Sequence, residues 1–262
     1  MFGAARLEKI KNIITEKKHV DVSTLSSLLA VTEVTVRKDL EKLEKQGFIT
    51  KTHGGAMLNE KTPDDSRLIP DASNEDASLS KEKQMIGQIV AHMVKEHDSI
   101  FLGSGSTCCY IAKALVNKKN INIVTNNLNV ANVLAAASSI NVVLTGGNLI
   151  GHTMTLVGDI VQRTLEGIFI DKAFISVAGV HINNGFTVSN LDELNVYRSV
   201  LNIARELIVV ADYSKFEKTS FVKFVPLVTA NKVISNESIP IDYKAYFFEQ
   251  GVQIFTSYEI DE

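Results

Sequence analysis

VTEVTVRKDLEKLEKQGFITKTHGGA, residues 31 to 56, is the stretch that decides the fold of the first part of this chain. Thr32 can accept a hydrogen bond as the N-cap of a helix, and Glu33 suits the positive end of the helix dipole. These features predict a helix with one buried side and one side that is free for a partner. Its apolar side chains recur at the i, i+4 and i+7 spacing of a buried face: Val36, Leu40 and Leu43.

A glycine-ended hairpin follows this helix. Gly47 is placed to end the helix, because glycine adopts the left-handed backbone of a helix C-terminus without strain. Residues 48–52 then show the alternating pattern and the β-branched side chains that are typical of a strand. His53-Gly54-Gly55 is placed to reverse the chain after it. The helix and hairpin together predict a winged helix-turn-helix.

The polar residues of the helix and hairpin have two interpretations each. Arg37 and Lys38 either contact DNA or form an ordinary solvated helix face, and the turn before them and the wing after them favour DNA. Thr35 either faces DNA or packs, since a β-branched side chain also fits a core. His53 either touches a phosphate or is satisfied by the backbone of the wing.

The residues before this stretch predict two more helices and a short strand. Apolar side chains at helical spacing predict a first helix over residues 4–17. Asp21-Val22 predicts a brief strand that could pair with the wing, and Ser23 is suited to cap a second helix with a leucine face. Three helices with one apolar stripe each, followed by a hairpin, can bury a small core and leave the third helix's polar side outward.

Charge is divided unevenly along the 262 residues. The net charge is −3, but residues 1–58 hold 10 lysines and arginines against 7 aspartates and glutamates, a net charge of +3. The remaining chain has 17 against 23, a net charge of −6. A basic first part suits a nucleic acid, and the acidic second part has another role. Because no apolar run approaches the roughly 20 residues that cross a bilayer, and no signal-peptide pattern is present, we expect a cytoplasmic protein that does not bind membranes.

The motifs of the first part run in a fixed order along the chain and resemble the N-terminal domain of the DeoR family of bacterial transcription regulators. The segments that carry the resemblance are Val31-Thr32, Thr35-Val36-Arg37-Lys38-Asp39-Leu40, Leu43-Glu44-Lys45-Gln46-Gly47 and His53-Gly54-Gly55-Ala56. The resemblance implies that the third helix and the wing contact DNA. The candidate DNA-binding residues are Thr32, Thr35, Arg37, Lys38, His53 and Gly54.

The regular pattern is interrupted between Asn59 and Ser80, where asparagine, aspartate, serine and two prolines break any period. We predict a linker over residues 59–80, between a winged helix-turn-helix domain over residues 1–58 and a second domain over residues 81–262. Ser80 is suited to cap the first helix of the second domain.

From Ser99 onward the chain repeats a strand, a loop and a helix. This alternation argues for a largely parallel sheet that is covered by helices on both faces. In such sheets ligands bind beyond the carboxyl ends of the strands. Strands are predicted at residues 99–102, 121–124, 141–144, 173–177 and 207–211.

Polar residues cluster in the loops of this second part. The loop Gly103-Ser104-Gly105-Ser106-Thr107 can turn tightly, present backbone N–H groups and hydroxyls, and direct a helix N-terminus at an anion such as phosphate. Lys215 supplies a positive charge, and asparagine and acidic residues can hold sugar hydroxyls. The candidate ligand-binding residues from this pattern are Gly103, Ser104, Gly105, Ser106, Thr107, Thr125, Asn126, Gly146, Gly147, Asp171, Asp212 and Lys215.

Some of these residues have a structural alternative. The small-residue loop could be an ordinary strand-to-helix turn, Asp171 could cap a strand or loop, and Gly146-Gly147 could only allow a close backbone approach. Cys108-Cys109 is expected in the core rather than as a thiol switch. The scattered histidines lack zinc spacing, so we expect no metal and no other cofactor.

A second set of segments matches a known pattern: Leu102 to Thr107, Val124 to Asn127, Leu144 to Gly147, Val157-Gly158, Asp171 to Phe174, Gly185 to Thr187 with Glu193, and Asp212 to Phe216. Through them the second part resembles the C-terminal effector domain of the DeoR family, which shares its α/β fold with ribose-5-phosphate isomerase. The resemblance adds Glu193 to the candidate ligand-binding residues. The resemblance implies a sensor of a phosphorylated sugar in a protein that represses a sugar-utilisation operon until that sugar accumulates. Two departures could alter which sugar is bound: Tyr197-Arg198 stands where the family often has a lysine, and Ser235-Asn236 where it often has Thr-Asp.

Three functions compete. A repressor would act as a homodimer or homotetramer, insert the third helix into the major groove of double-stranded operator DNA, and leave the DNA when a phosphorylated sugar binds. An enzyme, a sugar-phosphate isomerase or deaminase with an accessory DNA-binding domain, could use Asp171, Glu193 and Lys215 as acid and base groups. A constitutive architectural DNA-binding protein would show no metabolite effect. We favour the repressor, because an enzyme needs no operator-binding domain.

Overall fold

The computed structural model describes residues 3–17, 19–29, 31–45, 49–52, 54–58 and 77–257. The chain forms two compact units, which divide between residues 64 and 65.

Three helices and a three-stranded sheet make up the first unit. β1 (His19–Asp21) and β2 (Ile49–Lys51) pair with the two sides of β3 (Gly55–Leu58), and both pairings are antiparallel. The prediction that a short strand pairs with the wing is therefore confirmed. The helices are α1 (Gly3–Lys17), α2 (Val22–Leu29) and α3 (Glu33–Lys45).

The junction between β1 and α2 differs slightly from the prediction. Val22 is buried and begins α2, so Ser23 is the second residue of the helix and not its cap. The backbone N–H of Val22 donates to the carbonyl of Gly54 at 2.9 Å, which ties the start of α2 to the wing. At Gly55 an added Cβ would lie 2.4 Å from the carbonyl oxygen of Val20, so glycine is needed for β3 to approach β1 this closely.

The apolar stripes of the three helices meet in one core. The predicted stripe of α3 is confirmed, since Val36, Leu40 and Leu43 are at most 1% exposed. Burial of these side chains away from water is the main contribution that holds so small a unit together. Their buried neighbours are Ile10, Ile14, Val20, Val22, Leu25, Leu29, Ile49 and Ala56.

The second unit contains twelve strands and six helices among its described residues. The strands are β4 (Ser99–Leu102), β5 (Ile121–Thr125), β6 (Ile140–Leu144), β7 (Asn148–Ile150), β8 (Thr155–Val157), β9 (Ile170–Ser176), β10 (Gly179–His181), β11 (Gly185–Val188), β12 (Ala204–Val210), β13 (Val222–Val225), β14 (Lys232–Ile234) and β15 (Gln253–Phe255). The helices are α4 (Ala77–Met93), α5 (Ser106–Leu115), α6 (Leu128–Leu134), α7 (Asp159–Leu165), α8 (Leu191–Ile203) and α9 (Ile241–Glu249).

Seven strands form a parallel sheet in the order β15-β14-β12-β9-β4-β5-β6. From β4 the chain moves outward through β5 and β6, and from β9 it moves outward in the other direction. The order therefore reverses between β4 and β9, and a crevice opens beyond the carboxyl ends of strands at such a point. Two short antiparallel sheets, β7-β8 and β10-β11-β13, lie outside the parallel sheet.

Helices cover both faces of the parallel sheet, as predicted. Side chains of α4, α5 and α6 form one buried cluster with Ile100 and Leu102 of β4. Side chains of α7, α8 and α9 form the other with Phe101, which points to the opposite face because side chains alternate along a strand. The mixed α/β fold, with a winged helix-turn-helix before a parallel-sheet domain, is confirmed.

The start of α4 corrects one prediction. The helix begins at Ala77, so residues 77–80, which the sequence placed in a linker, are helical and Ser80 lies inside the helix rather than at its cap. The rest of the predicted linker, residues 59–76, lies outside the described residues.

Candidate functional site

The helix α3 presents its polar side to solvent. Arg37 and Lys38 are exposed, whereas Thr35 is half-buried. Thr32 caps the helix as predicted, since its Oγ1 accepts from the backbone N–H of Thr35 at 3.4 Å and lies 2.9 Å from the Thr35 hydroxyl. Arg37 Nη2 lies 3.1 Å from Glu33 Oε2, but both side chains are exposed, so little free energy is needed to separate them.

One charged side chain of α3 points inward. Asp39 is 2% exposed and accepts a hydrogen bond from Arg6 Nε of α1 at 2.6 Å. Because this ion pair joins the two helices, it helps to fix which side of α3 faces solvent. The sequence patterns do not predict this role of Asp39.

The wing packs beside the C-terminal half of α3. Lys51 of β2 lies 3.6 Å from Glu41 and 3.5 Å from Glu44, and its backbone N–H donates to Glu44 Oε1 at 3.3 Å. Gly54 is exposed at the tip of the hairpin. The candidate residue His53 and the predicted helix end at Gly47 lie outside the described residues.

A cavity of about 310 Å³ opens at the switch point of the parallel sheet. Loops after β4 and β9 contribute to it, as do the β7-β8 hairpin, the start of α8 and the turn after β12. Its lining residues are Ser104, Gly105, Ser106, Thr107, Ile150, His152, Thr153, Thr155, Ser176, Val177, Ala178, Ser189, Asn190, Glu193 and Lys215.

The turn from β4 into α5 forms one wall of this cavity. Gly105 stands at the N-cap position with φ 101°, a left-handed conformation that favours glycine. Ser106 and Thr107 belong to the first turn of α5, so the predicted loop of five residues shortens to Gly103-Ser104-Gly105. The first amides of a helix lack intrahelical acceptors, and this wall can therefore bind an anion.

Lys83 of α4 lies behind this wall, outside the cavity lining, and its contact with the wall was not predicted from the sequence. It is only 4% exposed, and its Nζ donates to Ser106 Oγ at 2.8 Å. A signal was present, because Lys83 lies three and seven residues before the buried Ile86 and Val90 and so falls on the apolar side of the helix. A buried ammonium beside the first turn of α5 adds positive charge where an anion would bind.

Glu193 of α8 forms the opposite side of the same wall. Ser104 Oγ donates to Glu193 Oε1 at 2.7 Å, and Tyr197 Oη lies 3.0 Å from Ser104 Oγ and 3.2 Å from Glu193 Oε1. Tyr197 is fully buried, and burial together with the nearby charge of Glu193 raises its pKa well above the usual value. Gly103 allows this packing, since an added Cβ would lie 3.2 Å from Tyr197 Oη.

Lys215 reaches the cavity from the short turn Tyr213–Lys215 after β12. Asp212 is fully buried and caps this turn, because its Oδ1 accepts from the N–H of Ser214 at 2.9 Å. Asn236, one of the two departures from the family pattern, accepts from the N–H of Tyr213 at 2.8 Å. Asp212 and Asn236 therefore position Lys215 without lining the cavity themselves.

Four other predicted residues lie outside the cavity lining. Thr125 and Asn126 are fully buried, and Asn126 Nδ2 donates to the carbonyl of Leu156 at 3.0 Å. An added Cβ at Gly147, where φ is 115°, would lie 2.6 Å from the carbonyl oxygen of Val157. The alternative that Gly146-Gly147 allows a close backbone approach describes Gly147 well. Gly146 has φ 73° and likewise does not line the cavity.

The structure does not bring Asp171 to the cavity. Asp171 is the second residue of β9, at the amino end of the parallel sheet, whereas the cavity lies beyond the carboxyl ends. Its Oδ2 accepts from the N–H of Ser99 at 3.0 Å, and its Oδ1 lies 3.4 Å from Arg205. The expectation that Asp171 lies with the other polar residues is wrong. The alternative that Asp171 caps a strand describes it, since it bonds to the first residue of β4.

The cysteines occupy the core, as predicted. Cys108 and Cys109 are free and buried, and burial is the main reason that the Cys108 pKa is raised. Among the described residues, no group of three histidine, cysteine or acidic side chains could hold a metal ion. Within the same ranges, the helices are too short or too polar to cross a membrane.

A winged helix-turn-helix followed by an α/β domain with a polar cavity defines a transcription regulator with a sensor domain. Residues 6–62 match the DeoR-like helix-turn-helix domain, and residues 78–237 match the DeoR C terminal sensor domain. The chain therefore belongs to the DeoR family of bacterial transcriptional regulators. It is a regulator and not an enzyme, as the sequence predicts.

Similar proteins cover nearly the whole chain. The HTH-type transcriptional repressor GlcR of Bacillus subtilis is 31% identical over 236 residues, which cover 90% of this chain and 89% of GlcR. A putative aga operon transcriptional repressor of Escherichia coli O157:H7 is 29% identical over 95% of this chain and 92% of its own length. Ribose 5-phosphate isomerase A of Methanocaldococcus jannaschii is similar in structure, with a TM-score of 0.40 and 18% identity over 52% of this chain and 54% of that chain.

Proposed function

We propose that this protein is a cytoplasmic repressor of a sugar-utilisation operon, and that a phosphorylated sugar bound in the second unit releases it from double-stranded operator DNA. The observation that carries the proposal is the presence of two sites in one chain. The solvent side of α3, with Arg37 and Lys38 exposed, suits DNA. The polar cavity, with a helix N-terminus and Lys215 in its lining, suits a small anion.

The DNA contact is made by α3 and the wing. Insertion of α3 into the major groove directs Arg37 and Lys38 toward bases and phosphates, while Gly54 and His53 lie near the backbone. Thr32 and Thr35 occupy the N-terminal end of α3, which approaches the bases. A domain with a net charge of +3 binds phosphates weakly alone, so affinity depends on pairing two such domains in a homodimer or homotetramer.

The effector is held in the cavity at the sheet's switch point. Its phosphate group accepts hydrogen bonds from the first turn of α5 and faces the positive charges of Lys83 and Lys215. Its hydroxyls face Glu193 and the polar side chains opposite. A volume of about 310 Å³ is at the small end of ligand cavities, which suits a molecule of sugar-phosphate size.

Release requires that the effector bind one conformation of the protein more tightly than another. The favoured conformation is the one that fits the operator poorly. The names of related proteins support a role in sugar metabolism, since one is the putative aga operon transcriptional repressor and another the glycerol-3-phosphate regulon repressor of Escherichia coli.

The test begins with operator DNA selected from genomic fragments by the purified full chain. Pentose and hexose phosphates are screened by thermal shift, because a ligand that binds the folded state raises apparent stability. Each hit is then added to the protein–operator complex. We expect at least one hit to weaken operator binding, and an operator affinity that no hit changes would support the architectural alternative.

Arg37→Ala tests the DNA half of the proposal separately. Loss of a direct base contact lowers operator affinity by about 1 to 3 kcal/mol. Lys9→Ala is the matched control, since it removes one exposed positive charge from α1 of the same unit. A loss below about 1 kcal/mol for Arg37→Ala, or an equal loss for Lys9→Ala, would argue against direct readout by α3.

A further inference from the structure

One acidic side chain lines the cavity among the residues that the structure describes. Among the described residues that line it, Glu193 is the only aspartate or glutamate, and Lys215 and His152 are the other ionisable side chains. Glu193 belongs to α8, and Asn190 caps that helix by accepting from the N–H of Glu193 at 2.8 Å. The carboxylate is therefore anchored at a defined place in the wall.

The hydrogen bonds of Glu193 have a fixed direction. A carboxylate oxygen only accepts, so the Ser104 hydroxyl at 2.7 Å donates to Oε1. Tyr197 keeps its proton, because burial and the charge of Glu193 raise its pKa, and it donates that proton to Glu193 Oε1 at 3.2 Å. Both partners are neutral donors, so neither cancels the negative charge of Glu193.

The second oxygen of Glu193 remains available to a ligand. Within the described part of the chain, Oε2 has no hydrogen-bond partner, and the residue is only half-buried beside the cavity. Ser104, by contrast, has already used its hydrogen on Glu193, so it supports the carboxylate rather than donating to an anion. Ser106 differs, because its oxygen accepts from Lys83 and its own hydrogen is left to donate.

We propose that Glu193, positioned by Ser104 and Tyr197, makes this cavity select phosphorylated ligands whose other polar groups are hydrogen-bond donors, hydroxyl or ammonium, and reject phosphorylated acids. The inference rests on the proposed function, because it assumes that the cavity binds a phosphorylated effector. Lys83 and Lys215 favour one anionic group. A second anionic group on the ligand would face Glu193, and like charges in a partly buried site repel strongly.

The experiment compares matched pairs of ligands that differ in one carboxylate. The pairs, all open-chain, are glucitol 6-phosphate with 6-phosphogluconate, ribitol 5-phosphate with 5-phosphoribonate, and glycerol 3-phosphate with 3-phosphoglycerate. Glucose 6-phosphate and ribose 5-phosphate are titrated alongside them. Calorimetry on the full wild-type chain gives the ratio of dissociation constants within each pair. For every pair that binds, we expect the acid to bind at least about tenfold more weakly.

Three variants assign the selectivity to Glu193. Glu193→Gln removes the charge and keeps the shape, and it should bring the ratio to within about threefold of unity. Tyr197→Phe removes a donor and keeps the charge, so both members of a pair should weaken while the ratio stays high. Asp192→Asn is the matched control, because it makes the same charge change at the neighbouring, exposed residue of α8 and should leave the ratio unchanged.

The possible failures are distinguishable. If a sugar phosphate and its acid bind the wild-type chain equally well, the selectivity is overturned while the proposed function stands, and this result needs no variant. The selectivity is also overturned if Asp192→Asn lowers the ratio as much as Glu193→Gln. If no member of any pair binds, the proposal fails together with the sugar-phosphate part of the proposed function.

Discussion

The polar side of α3 and the wall of the cavity are built in opposite ways. On α3 the candidate residues are close in sequence, exposed and bonded mainly to their own helix, as Arg37 is to Glu33. At the cavity the polar residues come from separate elements and are bonded across long stretches of sequence, as Lys83 is to Ser106 and Ser104 is to Glu193. Substitutions on α3 can therefore change binding alone, whereas those in the cavity also change a network.

The buried side of α3 should show the largest effect. Leu40→Ala removes a side chain that is 1% exposed and should lower the free energy of unfolding of the first unit by about 2 to 5 kcal/mol. A unit of about sixty residues has little stability to spare, so operator binding should fail through unfolding of that unit. The measurement is thermal unfolding followed by calorimetry, with ligand binding by the second unit measured in parallel.

Leu28→Ala is the control for that prediction. Leu28 is 57% exposed in the same unit, so its truncation should change the free energy of unfolding by ~0.5 kcal/mol or less. Equal destabilisation by both variants would contradict the assignment of Leu40 to the core. Loss of ligand binding in Leu40→Ala would show that the two units do not unfold independently.

The same difference explains how much could be predicted from the sequence. Helical periodicity identifies the two sides of α3, because residues three and four positions apart share a side, and both the buried stripe and the exposed arginine followed from it. In the cavity, Lys215 and the turn at Gly105 were predicted because each follows a recognisable strand, whereas Glu193 was a candidate through the family resemblance. Periodicity places Lys83 on the buried side of α4, but it gives no information on its partner Ser106, which is 23 residues away.

Asp171 illustrates a second limit of prediction from the sequence, the position of strand ends. Polar residues beside a strand predict a cavity only if they stand at its carboxyl end, and Asp171 stands near the amino end of β9, where it bonds to Ser99 at the start of β4. The predicted strand began at residue 173, two residues later than Asp171, whereas β9 begins at Ile170. Short apolar runs define the centre of a buried strand well and its ends poorly, because both ends border polar residues.

Lys83→Met tests the network in the cavity wall and should have an intermediate effect. Methionine keeps the apolar stem but removes the ammonium that contacts Ser106, so affinity for inorganic phosphate should fall by about 1.5 to 3 kcal/mol, roughly tenfold or more. The measurement is calorimetric titration with phosphate. Lys81→Met makes the same change at an exposed residue of α4 and should leave phosphate affinity within about twofold of the wild type. Equal losses in the two variants would mean that net charge alone, and not the contact with Ser106, attracts the anion.

Lys38→Ala tests a predicted phosphate contact on the exposed side of α3. Of the variants considered, it should have the smallest effect on binding specificity. A lysine that contacts a phosphate contributes equally to all sequences, so the variant should weaken operator and unrelated DNA alike and reduce the slope of log affinity against log salt by about 1. The free energy of unfolding should not change, because Lys38 is exposed and none of the hydrogen bonds or ion pairs found among the described residues involves its side chain. Binding titrations at several salt concentrations give the slope, with Lys9→Ala as the charge control. A slope that stays at the wild-type value would place Lys38 away from the DNA backbone, and a loss confined to the operator would instead make it a base-reading residue like Arg37.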